Sequence, residues 1–500
     1  MNPIEQLNLL RKTGGPARTL GLDDDTVRRF AEHDPDLVAA IEDAVRQFGQ
    51  LQIDMPDLLA LNEEAQVETT QAGFINFYAD DVVNPYVSLA GRGPWLITLK
   101  GAVLFDCGGY GMLGLGHAPA AVLEAMSRPH VMANIMTPSI SQLHLANALD
   151  REIGHTRGGN PFSKFLCLNS GSEAVTLAAR ISDSNAKDRT DPGGPNANQP
   201  IRHLGLKGAF HGRTERPARF SDSTRKTYSQ YLASFRDRDN LITVEPNNLE
   251  QLEQVYHYAA ENRIFLEAFF MEPVMGEGNP GLAITPEFYA LARRLTREHG
   301  SLLLVDSIQA GLRAHGELSV MDYPGFEDQE APDMETYSKS LNAGQYPLSV
   351  LALTPETADI FRKGTYGNTM TSNPRAMDVA VSVLGSLTPE LRANIRERGA
   401  EMVSKLEALK AQMGGRITAV QGTGLLVSCA LDPGRYKCYG ADSSEEYMRF
   451  NGVNVIHGGA NSLRYTPPFT ITSEAVDLLV ESTRDALLHG PVKAATSAAA

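Results

Sequence analysis

In METYSKSLNAGQYPLS, Met334 to Ser349, a single cation, Lys339, stands between serines and is followed by Asn, Ala, Gly and Gln. Pro332 closes the preceding segment. A solvated surface lysine needs no such setting, and a phosphate-loop lysine follows its glycines rather than preceding them. Small residues after the lysine suit an amine that reaches into a cavity shared with something bulky. In a shielded cavity beside other positive charge the amine's pKa falls and it becomes a nucleophile.

Two further stretches carry chemistry. In NSGSEAVTLAAR, Asn169 to Arg180, Gly171 and Ser172 lie between a strand pattern and a helix pattern. Backbone N–H groups at such a helix start bind anions, most often phosphate. An ordinary capped helix with Ser172 as its cap reads equally well from this stretch alone. In LLLVDSIQAG, Asp306 ends a hydrophobic run, where α/β sheets place their ligand crevice. The plainer reading is an aspartate capping the next turn. Taken together and in this order, a phosphate cradle, a strand-end carboxylate and a lysine in a small-residue loop match the needs of pyridoxal 5′-phosphate.

The chain resembles the class III aminotransferases, the ornithine and 4-aminobutyrate type among fold type I pyridoxal-phosphate enzymes, from about Asn84 to about Leu488. NSGSEAVTLAARIS resembles the family's phosphate loop, which implies Gly171 and Ser172 on the phosphate. AFHGRT (209–214) resembles its aromatic-His-Gly-Arg-Thr segment, implying that Phe210 stacks on the pyridine ring with His211 beside it. MEPVMGEG (271–278) resembles EPxQGEG, with Glu272 and Glu277 at the glutamates and Glu277 near substrate. DSIQAG resembles DExQTG, giving Asp306 to the pyridine nitrogen and Gln309 to the phenolic oxygen. SKSLNAGQYPLS resembles the lysine loop, which makes Lys339 the Schiff-base lysine. GNTMTSNP (367–374) resembles GSTxGGNP, so that Thr369 reaches the other subunit's phosphate in a homodimer. SLRYTPP (462–468) resembles the segment whose arginine grips a substrate carboxylate, here Arg464. The match through Gly108-Gly109-Tyr110 puts Tyr110 in the substrate pocket.

The resemblance implies a transaminase with catalytic Lys339 and Asp306. It moves the terminal or α amine of an amino acid or related amine to a 2-oxo acid such as 2-oxoglutarate or pyruvate. A racemase, epimerase or decarboxylase on the same fold is the alternative. Several departures bear on substrate. Met275 replaces the usual glutamine and Ser307 the glutamate of DExQ. Arg313-Ala314 stands for a glycine-arginine pair. The pocket tyrosine of the ornithine enzymes falls near Val82.

The elements that position these residues read as alternating strands and helices from about 120 to 355. KFLCL (164–168), LEAFFMEPV (266–274) and SLLLVDSIQ (301–309) are strand patterns, and residues 172–187 and 286–300 are helical. Continuous apolar strands between amphipathic helices indicate a mostly parallel sheet covered on both faces. The expected fold is α/β, a fold type I PLP-transferase. Residues 120–374 form the large cofactor-binding domain, 71–119 with 375–500 a smaller α+β domain, and 1–70 a helical extension. AATSAAA at the C-terminus reads as a frayed tail.

Bulk properties narrow the class. The 500 residues are 42% hydrophobic and 21% charged, with a formal net charge of -15. Such an acidic chain lacks the basic face a sequence-independent nucleic-acid binder needs, and it does not suit anionic membranes. No apolar run reaches a membrane span, and the N-terminus lacks a signal-peptide core. Cys107, Cys167, Cys429 and Cys438 show no CxxC spacing, which fits a reducing cytoplasm. The 12 histidines show no metal-binding pair, so no metal is expected. His117 reads as structural, Trp95 as core, and His203 and His315 have no evident partner.

Overall fold

The computed structural model describes residues 1–132, 135–236 and 240–493, so the C-terminal AATSAAA lies outside the described residues. The chain divides into two compact units, Met1–Ala120 with Glu397–Ala500, and Ala121–Arg396. The unit boundary after Arg396 assigns the helix Pro374–Gly385 to the second unit, not to the smaller domain drawn from the sequence. The helical extension is likewise part of the first unit. Within that unit, Asp34 of the extension accepts a 2.7 Å bond from the Trp95 indole, and Asp43 pairs with Arg92 at 2.6 Å.

The second unit is built on a seven-stranded sheet. Its strands run Lys164–Leu168, Ser349–Leu353, Met334–Tyr337, Leu302–Asp306, Phe265–Met271, Ile201–Leu206 and Leu241–Val244 across the sheet. Ser349–Leu353 alone runs opposite to the other six strands. Every residue of FLEAFFM and of LLLVD is buried, which explains why both read as unbroken apolar runs: helices cover both faces. The helix Gly171–Thr190 lays Ala174, Val175, Leu177, Ala178 and Ile181 against Phe220, Phe270, Leu304 and Leu351. Each large apolar side chain buried there stabilises the unit by roughly 1.5–3 kcal/mol. Pro286–His299 starts at Thr285, whose side chain accepts from the Phe288 N–H, and stops at Gly300 in the left-handed region, φ 77°.

The one acidic side chain inside FLEAFFM, Glu267, is neutralised in place. Arg216 and the Ser182 hydroxyl (2.6 Å) bond its carboxylate, and His203 Nδ1 lies 3.4 Å away. His203 thus has a neighbour that its sequence context does not reveal.

The first unit carries two four-stranded sheets. One joins Ser88–Arg92, Trp95–Thr98, Val103–Asp106 and the parallel Val453–Asn454. The other is antiparallel: Ile417–Thr423, Leu426–Leu431, Ser462–Tyr465 and Ile456–Gly458. Trp95 is core, edge-on to Phe30 and Phe105. His117 Nε2 meets Asp106 at 2.9 Å, a structural tie.

Candidate active site

The carboxyl ends of the central strands in the second unit gather the predicted cofactor residues. Asp306 closes its strand with 3% exposure. Its Oδ2 lies 2.8 Å from His211 Nδ1, and its Oδ1 accepts from the Ile308 N–H and the Thr336 hydroxyl, both at 3.2 Å. A carboxylate only accepts, so Nδ1 of His211 is the donor. The His211 ring is fully shielded and meets Phe270 edge-on. A carboxylate so buried stays charged only among such donors.

Lys339 reaches the same end through strand register. Asp306 pairs with Thr336, and the chain turns three residues later. Lys339 opens a single 3₁₀ turn, Lys339–Asn342, at φ 46°, a left-handed conformation sparsely populated by residues with a Cβ. The small residues after it serve the turn: Ala343 and Gly344 are also left-handed, at φ 53° and 69°. Ser338 and Asn342 both donate to the Leu348 carbonyl, at 2.7 and 2.8 Å, which pins the loop back onto the returning strand.

The anion end is the first turn of Gly171–Thr190. Ser170, not Ser172, is its N-cap, with its hydroxyl accepting from the Glu173 N–H. Ser172 sits inside the turn facing Gly212. A Cβ on Gly212, at φ 118°, would lie 2.3 Å from Ser172 Oγ, and one on Gly171 would lie 2.7 Å from Ile308 Cδ1. These glycines let the Gly212 loop pack on Ser172 and the helix start pack on Ile308. Thr369 is exposed, while its neighbour Asn368 donates to Glu173 at 2.7 Å.

Glu272 ties two loops together. Its carboxylate accepts from the Phe210 N–H (2.9 Å) and the Gly276 N–H (2.8 Å), and burial pushes its pKa up to about 7. Gly276 lets the buried Gln309 side chain pass, since a Cβ there would lie 2.2 Å from Gln309 Cδ. Phe210 is half-buried beneath the Arg213 guanidinium, 5.4 Å from its ring, and Glu277 is half-buried.

Glu335 escaped the sequence reading. It is fully buried one strand from Asp306, accepts from Ser307 and Ser319 at 2.6 Å and from the Val320 N–H, and burial pushes it up to about 7. The signal was present: an acid inside the apolar strand METY, with Ser307 in place of the expected glutamate. Glu152, His155 and Glu317 also come within 4.8 Å of one another. There Arg392 bonds both carboxylates, so the group is an ion-pair network.

In the first unit, Arg464 lies on Ser462–Tyr465, 1% exposed, with its Cζ 5.4 Å from the Tyr110 ring. Tyr110 sits at φ 51°, and its phenol is pushed well above its usual range by burial.

Residues 77–487 match the profile of the family "Aminotransferase class-III", and the chain belongs to that family. It is a pyridoxal 5′-phosphate-dependent aminotransferase, taking an amino donor and a 2-oxo acid. The chain is 28% identical over 407 residues to the [LysW]-aminoadipate semialdehyde transaminase of Deinococcus radiodurans, covering 81% of this chain and 86% of the other. It is 28% identical over 403 residues to the succinylornithine transaminase of Salmonella typhimurium, covering 78% and 90%. The fold matches the ornithine aminotransferase of Toxoplasma gondii ME49 with a TM-score of 0.72 at 23% identity, over 87% of this chain and 98% of that one. None of these relatives supports the racemase or decarboxylase alternative. The residues present fit the cofactor: a helix start with Gly171 and Ser172 in its first turn, a buried strand-end carboxylate and a lysine held in the adjacent turn.

Proposed function

We propose that this enzyme transfers the terminal amino group of an ornithine-type amino acid or related amine to a 2-oxo acid such as 2-oxoglutarate or pyruvate. Relatives named for succinylornithine and aminoadipate semialdehyde support a terminal amine. The observation that carries the reading is the Asp306–Thr336 register, which sets the Lys339 turn beside the strand-end carboxylate.

When bound, pyridoxal 5′-phosphate supplies an aldehyde for the amine and a ring that withdraws electrons. The chain's residues do the rest. Lys339 Nζ would be the covalent attachment point, and as a free amine it would act as the base at the amine-bearing carbon of the donor. Asp306, held by His211, would meet the pyridine nitrogen. Phe210 would cover the ring, and Gln309 would bond its phenolic oxygen. Gly171 and Ser172 would hold the phosphate with Thr369 of a second copy. Tyr110, Glu277 and Arg464 bind substrate, with the Arg464 fork on a carboxylate.

A homodimer is supported by large apolar side chains left in solvent, Phe74, Ile75 and Phe77 in one unit and Val131, Met136 and Ile140 in the other. A cytoplasmic location is supported by the four scattered cysteines, Cys107, Cys167, Cys429 and Cys438, none of them in a disulfide. No described helix is long and apolar enough to cross a membrane.

The test is the absorbance of purified enzyme with single amines and no acceptor. Conversion of the cofactor to its amino form by a terminal amine, and its absence in Lys339→Ala, is expected. Full turnover by Lys339→Ala would overturn the assignment, and sedimentation of an active monomer would remove the role of Thr369.

A further inference from the structure

Strand Met334–Tyr337 sets Thr336 directly beside Asp306, in parallel register. Thr336 is buried and meets the Asp306 strand through both backbone and side chain. Its carbonyl accepts the Ser307 N–H at 3.0 Å, and its hydroxyl donates to Asp306 Oδ1 at 3.2 Å. Lys339 opens its turn three residues further along the same chain. One residue thus ties the strand-end carboxylate to the segment that carries the lysine.

The two oxygens of Asp306 are not equivalent. A carboxylate offers about four acceptor positions, two on each oxygen. On Oδ1 both are taken, by the Ile308 N–H and the Thr336 hydroxyl, each at 3.2 Å. On Oδ2 only His211 Nδ1 donates, at 2.8 Å, among the described residues. Oδ2 therefore keeps an acceptor position for the N–H of a ligand, and Oδ1 does not.

Which oxygen a ligand meets depends on the rotation of the carboxylate. An aspartate turns about its Cβ–Cγ bond with a broad, roughly two-fold preference, so the covalent geometry does not choose. The bonds choose. The Ile308 N–H lies two residues on, a local contact that an aspartate makes in many turns. Thr336 comes from the next strand, with its backbone in the ladder and its β-branched side chain stiff at χ1. Its hydroxyl oxygen is a fixed point against which Oδ1 is held.

We propose that Thr336 is a positioning residue for the cofactor: its hydroxyl fixes the rotation of the Asp306 carboxylate, so that Oδ2 is the oxygen offered to the pyridine nitrogen. The inference rests on the placement of Asp306 at that nitrogen. Thr336 acts through Asp306, and its loss lets the carboxylate rock about the Cβ–Cγ bond and lengthens the contact with the ring.

The experiment titrates apoenzyme with pyridoxal 5′-phosphate and with its deaza analogue, in which a C–H replaces the ring nitrogen. The two share aldehyde, phenol and phosphate, so the ratio of their affinities reads the contact at that one ring position. The wild type is expected to favour pyridoxal 5′-phosphate. Thr336→Val removes the hydroxyl, keeps the branched shape and is expected to cut the ratio about tenfold, the scale of one hydrogen bond to a charged group. Thr336→Ser keeps the hydroxyl and is expected to hold the wild-type ratio. If Thr336→Val does not fold, Thr336→Ser against Thr336→Ala repeats the comparison, since that pair differs by the hydroxyl alone. Loss of the hydroxyl that weakens both ligands equally, or neither, overturns the proposal, because Thr336 then only fills the strand. A ratio that falls as far in Thr336→Ser as in Thr336→Val overturns it as well. Equal affinity of the wild type for both ligands takes Asp306 away from the nitrogen, so a failure of that reading shows in the wild type and a failure of the inference only in the variants.

Discussion

The Oδ2 of Asp306 lies 2.8 Å from Nδ1 of His211, and the imidazole is fully shielded from solvent. Hydrogen bonds to a charged group contribute about 1.5–3 kcal/mol, so loss of this donor loosens the carboxylate proposed to meet the cofactor. His211→Leu is expected to lower kcat about 10- to 100-fold at saturating cofactor, while His211→Gln, which keeps an N–H donor, recovers most of it. Steady-state kinetics of the pair checks the donor role. Equal losses would mean that His211 only fills space.

Gly212 stands at φ 118°, and a Cβ there would meet Ser172 Oγ at 2.3 Å. Overpacking of this kind costs about 1–3 kcal/mol. Gly212→Ala is expected to weaken cofactor affinity by about 5- to 100-fold, read by titrating apoenzyme with pyridoxal 5′-phosphate. Gly49→Ala is the control, since a Cβ there meets nothing within 4 Å. Its affinity is expected to stay at the wild-type value.

Arg464 presents a planar fork that a lysine cannot copy. Arg464→Lys is expected to raise KM for 2-oxoglutarate about 10- to 100-fold with a smaller change in kcat. An unchanged KM would take the acceptor carboxylate away from this residue.

Burial raises Glu267, Glu272 and Glu335 to about 7 from the usual 4.5. Between those values the folded chain holds protons that the unfolded chain has released, so stability falls as pH rises through this window, and the loss is complete above about pH 7. Glu335→Gln removes one of these groups. Its thermal midpoint is expected to gain on the wild type between about pH 5 and pH 8, even though the amide serves Ser307 and Ser319 less well. A parallel pH dependence in the two proteins would show that Glu335 is ionised throughout.

Local chemistry was legible wherever it is written in consecutive residues. The unbroken apolar runs around Phe269 and Leu304 announced a sheet covered on both sides, and Asp306 at the end of one announced the crevice. Gly300 marked the end of its helix. The N-cap of Gly171–Thr190 was not separable by eye, because Ser170 and Ser172 are both good caps and only the backbone decides between them.

By itself the sequence determined the residue types that can do the chemistry and the periodicity of the elements carrying them: Lys339 before small residues, Asp306 after an apolar strand, Gly171 and Ser172 before a helix. Only the tertiary structure decided what these side chains meet. The Asp306–Thr336 register that brings the Lys339 turn alongside, the His211 donor, the Glu272 clasp of Phe210 and Gly276, and the Ser307–Glu335 bond all join residues far apart in the chain. So does the stacking of Tyr78 on Tyr110. Periodicity is set by neighbours along the backbone, whereas such pairings are set by strand order and burial, which the whole chain settles at once.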